Sequence, residues 1–100
     1  MTKENMKQVS VTVQIGNSDD KLPQRKWALF ILDTLNVVAD FGGLHFSGGS
    51  EPRAQWQNYC LVAVGPEAKL DKLTLELKQI CNRYSQESIS LIVGQSEFVS

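Results

Sequence analysis

From Val9 the chain alternates apolar and polar positions. Val9, Val11, Val13 and Ile15 share one face and Ser10, Thr12 and Gln14 the other, the period of two that marks a half-buried strand. Gly16-Asn17-Ser18-Asp19-Asp20 ends it with residues that turn a chain or cap a helix through side-chain oxygens. Pro23 suits a first helical turn, where its missing N–H costs nothing, and a helix is expected over 23–41. Trp27, Phe30, Ile31, Val38 and Phe41 form one stripe, and Leu29, Leu32 and Leu35 widen it beyond an ordinary amphipathic face. Lys26, Asp33, Asn36 and Asp40 leave only a narrow polar strip. Such a helix is either deeply packed or meets another subunit. Gly42-Gly43 stops it.

Leu44 and Phe46 alternate with His45 in a short second strand, and 47–52 has the Gly and Ser content of a mobile hairpin loop. The third strand is expected over 56–64, with Cys60, Val62 and Val64 on one face and Tyr59, Leu61 and Ala63 on the other. A strand apolar on both faces belongs in the middle of a sheet. The sheet's open side, around Tyr59 and Leu61, is then a surface for a partner. Gly65-Pro66 opens a second helix with Glu67 at the positive end of its dipole. Leu70, Leu73, Leu77, Ile80, Cys81 and Tyr84 recur at threes and fours along it. Ile89, Leu91 and Val93 alternate with Ser88 and Ser90 as a fourth strand, which Gly94 breaks.

Strand, helix, strand, strand, helix, strand is the order of an α+β, ferredoxin-like βαββαβ domain, a four-stranded antiparallel sheet with two helices on one face. Right-handed crossovers give the spatial order 4-1-3-2. Residues 1–8 are expected to be a disordered N-terminal extension and 9–100 a single domain, the size at which one core suffices. The topology carries three polar segments to one end: 16–21, 53–58 and 82–87. They would supply rings from Trp27, Trp56 and Tyr84 and amides from Asn17, Gln57, Asn58 and Gln86. Ser18, the carboxylates of Asp19 and Asp20, and the Arg53 guanidinium complete the set. Rings with bidentate amides suit a flat, hydrogen-bonding molecule, and Arg53 with a helix N-terminus could neutralise a phosphate. Against this stands a purely structural role, with the tryptophans in the core and the amides capping strands and helices.

Composition narrows the choice. Ten basic and eleven acidic residues leave a net charge of −1, without the cationic surplus of non-specific nucleic-acid binding. Cys60 and Cys81 fit no zinc or CxxC spacing and are expected to be buried free thiols. Neither a bilayer-spanning run nor a secretion signal is present, so a cytoplasmic protein without membrane contact is expected. Asp19-Asp20 could hold a divalent metal, though adjacent acids in a turn more often cap the next helix. His45 has no acid or serine partner in view. The glycine pairs do not form a phosphate-cradling motif, and no cofactor is called for.

The run Ile15-Gly16-Asn17-Ser18-Asp19-Asp20-Lys21-Leu22, followed by Trp27, Trp56-Gln57-Asn58 and Gln86-Glu87-Ser88-Ile89, resembles a group of small uncharacterised bacterial and phage proteins. The likeness spans most of the chain. Where the group tends to begin the first helix with Thr, this chain has Pro23, a departure that puts the side-chain cap at that position in question. The resemblance implies an origin rather than a mechanism, and small phage proteins often act against host defences. Three functions are expected in order. The first is a non-enzymatic, homo-oligomeric protein sequestering a small nucleotide-like signal at the shared polar end. The second is an interaction module that inhibits a protein through an apolar sheet or helix surface. The third is a metal-dependent phosphodiesterase or nuclease built on Asp19 and Asp20.

Overall fold

The computed structural model describes residues 7–17, 21–51, 54–97 and 99. In chain order the elements are β1 (Gln8–Gly16), α1 (Gln24–Phe41), β2 (Gly43–Gly49), β3 (Asn58–Pro66), a 3₁₀ turn (Glu67–Lys69), α2 (Leu70–Arg83) and β4 (Ser90–Gln95). The sheet runs β2-β3-β1-β4 with every pair antiparallel, so the ferredoxin-like plan and its strand order hold. β1 begins at Gln8. Lys7 is tied to the 3₁₀ turn, its carbonyl accepting from Glu67 N–H at 2.9 Å and its ammonium 3.3 Å from the Glu67 carboxylate. Residues 1–6 lie outside the described residues.

Alternation decides which face is dry. Val9, Val11, Val13 and Ile15 of β1 and Leu61 and Ala63 of β3 pack under Trp27, Phe30, Val38 and Phe41 of α1 and Leu73, Leu77 and Ile80 of α2. Each Val, Leu, Ile or Phe among them contributes on the order of 1.5–3 kcal/mol when buried. Leu61 therefore lies beneath the helices, not on the open side where the sequence pattern placed it. The open side of β3 carries Cys60, Val62 and Val64 instead. Cys60 is accordingly half-buried rather than buried, and both cysteines are free thiols.

The wide apolar stripe of α1 is only partly used. Leu29 and Leu32 stay 47% and 50% exposed. Thr34 is fully buried in the stripe, where its Oγ1 donates to Phe30 O at 2.8 Å and satisfies itself within the helix. Pro23 caps the helix without a side-chain bond. Trp27 N–H donates to Pro23 O at 2.9 Å to close the first turn.

β2 extends beyond the expected Leu44–Phe46. Ser47, Gly48 and Gly49 pair with Leu61, Cys60 and Tyr59, so half of the expected mobile loop is strand. The hairpin has room for this because backbone approach is close: a Cβ on Gly49 would lie 2.5 Å from Asn58 O. The same crowding governs the end of α1. A Cβ on Gly42 would collide with the Val64 carbonyl, and one on Gly65 would come within 2.6 Å of Phe41 O. Two glycines thus let the helix terminus rest directly on β3. No described helix is long and apolar enough to cross a membrane.

Candidate functional site

β1 ends where β3 begins: Gly16 pairs with Asn58, and Asn17 N–H donates to Gln57 O at 2.9 Å. α1 starts and α2 finishes at the same end, with Lys21 and Leu22 beside Arg83, Tyr84 and Ser85. The topology thus brings the described parts of all three polar segments together. Within that end they divide into an internally bonded knot and an open cleft.

The knot is built of amides. Asn17 is 2% exposed; its Oδ1 accepts Leu22 N–H at 2.8 Å and its Nδ2 donates to Leu22 O at 3.0 Å. Nδ2 also reaches Gln57 Oε1 at 3.2 Å. Gln57, equally dry, exchanges two 2.9 Å bonds with Gln24 in the first turn of α1. Asn17 therefore replaces the missing cap at Pro23 by holding the chain just before the helix, and Gln57 ties helix to sheet. Gln86 is buried at the end of α2, where its N–H meets Cys81 O, its Nε2 meets Tyr84 O, and its carbonyl accepts from Cys81 Sγ. Trp27 is a core residue, edge-on to Phe30 with centroids 5.8 Å apart. Among the described residues no buried side-chain nitrogen or oxygen lacks a partner.

The cleft, of about 390 Å³, opens between the start of α1 and the end of α2. Leu22, Leu29 and Tyr84 give it an apolar lining, and Lys21, Lys26 and Arg83 place three cations around it. Tyr84 is held rigidly. Its ring stacks on Phe30 at 5.0 Å and its hydroxyl donates to Asp33 Oδ2 at 2.5 Å. Partial burial, followed by that bond to the Asp33 carboxylate, raises the phenol above its ordinary value of 10.0, so it is neutral at physiological pH. Arg83 Nη1 shares the same carboxylate at 3.1 Å. Neither Lys21 nor Lys26 has an ion pair among the described residues.

Of the residues singled out in the sequence, Tyr84 lines this cleft. Trp27, Gln57 and Asn58 line a smaller pocket of about 240 Å³ on the other side of α1, against the β2–β3 hairpin. Asn58 is exposed and donates to Trp56 O. Trp56 is 64% exposed and sits at φ 61°, a left-handed conformation that costs a residue with a Cβ on the order of 1–2 kcal/mol. Ser18, Asp19, Asp20 and Arg53 lie outside the described residues. Lys21 and Arg83 fall inside the polar segments without standing out from ordinary surface charge, and Lys26 falls on the polar strip of α1. Only the packing of α2 against α1 reveals that the three converge. Among the described residues no group of three or more His, Cys, Asp or Glu could hold a metal.

No family model matches the sequence, and no curated protein matches it. Similarity appears in solved structures. SnoaB, a cofactor-independent oxygenase from Streptomyces nogalater, superposes with a TM-score of 0.55 at 10% identity, over 93% of this chain and 96% of that one. An unknown protein from Galdieria sulphuraria gives 0.53 at 9% identity, over 91% of this chain and 50% of the other. This chain therefore spans half of that protein's length. Identities this low establish a shared fold, and one fold hosts unrelated activities. Any functional reading rests on the site.

Proposed function

We propose that the protein binds, without transforming it, a small anionic molecule with a flat or apolar portion, of the nucleotide type, in the cleft between α1 and α2. The observation that carries the reading is a concave apolar surface ringed by Lys21, Lys26 and Arg83. Its volume falls in the range of roughly 300–1,000 Å³ that ligand pockets occupy. The tyrosine face and two leucines would receive a planar group, and the cations would meet phosphate oxygens through charge-assisted bonds. The described polar lining consists of the three cations, the Tyr84 hydroxyl and Ser85, groups suited to holding an anion. Resemblance to small phage proteins supports the finer reading, sequestration of a nucleotide-type defence signal.

Calorimetry against a panel of cyclic and ADP-ribose-type nucleotides tests it. One class should bind. Lys26→Ala should weaken that binding by roughly tenfold, the loss of one charge-assisted bond, while Asn58→Ala, on the far side of α1, should not. Silence of the wild type across the panel overturns the reading.

A further inference from the structure

The four strands carry no Lys, Arg, Asp or Glu at any position, although 21% of the chain is charged. Both helices lie on one face. On the other, register aligns one row across the whole sheet: Phe46 opposite Val62, Val62 opposite Thr12, Thr12 opposite Ile92. Phe46 and Ile92, on the two edge strands, are 54% and 56% exposed. The rows on either side hold Gly48, Cys60, Gln14 and Ser90, and Val64, Ser10 and Gly94. The open face is thus an uncharged band of Phe46, Val62, Thr12 and Ile92 flanked by hydroxyl, amide, thiol, valine and glycine positions.

A sheet face open to water ordinarily turns polar residues outward, whereas this one carries an exposed, largely apolar band with no charged strand residue to interrupt it. We infer that a second copy of this chain covers the open face, sheet against sheet. Charge selects the occupant. A neutral face offers nothing to nucleic acid or an anionic lipid surface, whereas two copies of it meet without like-charge repulsion. Area agrees. At strand spacings of about 4.8 Å and rises of about 3.3 Å per residue, the sheet projects to roughly 500 Å². Side-chain relief enlarges that toward the ~800 Å² per partner of a standard interface. The interface is isologous, with the Phe46–Val62–Ile92 band at its centre and the hydroxyls and Gln14 around it.

Sedimentation velocity on the wild type at ~50 µM, above the μM-to-pM dissociation constants of interfaces this size, should give twice the chain mass of 11.2 kDa. Phe46→Glu and Ile92→Glu, tested separately, should each return it to 11.2 kDa, because facing copies would bury unpaired carboxylates. Both side chains are more than half exposed, so the fold does not need them, and circular dichroism verifies that. Cys60 offers a readout that requires no variant. It lies on the open face while Cys81 is buried, so thiol labelling of the native wild type should slow as concentration rises. A wild-type mass of 11.2 kDa, a larger assembly than a dimer, variants that keep the doubled mass, or labelling independent of concentration would each overturn the inference. The nucleotide cleft lies on the helix side, so its binding result stands or falls separately.

Discussion

Two polar clusters share one end of this molecule, and they differ in what their polar atoms already hold. In the knot, Asn17, Gln57 and Gln24 bond to one another and to the backbone of Leu22. Its amides are spent on joining sheet to helix. In the cleft, Lys21 and Lys26 face a concavity without an ion pair among the described residues. Convergence of polar residues is therefore insufficient to mark a site; what distinguishes one is capacity left over for something else. The two clusters should respond to mutation in opposite ways.

The largest effect on stability should come from the knot. Asn17→Ala strips the side-chain partner from the part-buried N–H and carbonyl of Leu22, while Gln57 keeps its bonds to Gln24, and each stranded group costs about 1–3 kcal/mol. Urea denaturation should show a loss of about 2–4 kcal/mol, and a loss below 1 would mean that solvent reaches those groups. Gly65→Ala is next. It drives a Cβ into Phe41 and should cost about 1–3 kcal/mol by overpacking, read in the same experiment. Lys26→Ala should reverse the pattern, shifting stability by less than about 0.5 kcal/mol while reducing ligand affinity.

Tyr84 belongs to both behaviours and sharpens the contrast. Its raised pKa means that the fold holds the neutral phenol. The resulting stabilisation is complete below the unfolded value of about 10 and is lost as pH rises through the higher folded one. Melting temperatures followed above pH 9 should fall less in Tyr84→Phe than in wild type. At neutral pH, loss of its bond to Asp33 should cost about 1 kcal/mol. Trp56→Gly should have a small effect on stability. Relief of the left-handed backbone offsets glycine's entropy, leaving stability within about 1 kcal/mol.

Period and breakers made most of the fold legible before any coordinates. The alternation over 9–15 and the threes and fours from Leu70 mark β1 and the body of α2, because each has one wet and one dry face. Gly65-Pro66, expected to open the second helix, instead ends β3, and a 3₁₀ turn precedes α2. β3 was harder. Both of its faces are apolar, so its pattern could not say which one the helices cover, and Leu61 was assigned to the wrong side. Ser47–Gly49 resembled a loop because small residues signal flexibility, whereas here they permit close hairpin approach. At the site, aromatic and amide residues drew attention by type. Lys21, Lys26 and Arg83 look like ordinary surface charge until two helices set them around one hollow, a fact of three dimensions that local pattern does not carry.

β1 sits at the centre of the sheet yet is made first, and both strands that flank it, 58–66 and 90–95, come much later. During synthesis its apolar residues wait for 58–66 on one side and for 90–95 on the other, since a long loop has to close before either pairing is rewarded. Until residue 95 emerges, one ribbon edge stays bare in the nascent chain, vulnerable to capture by a neighbouring copy or a chaperone. Assembly of this sheet is thus completed by β4, and a deletion that spares every core residue of the helices but removes that six-residue strand would leave the edge of β1 open for good.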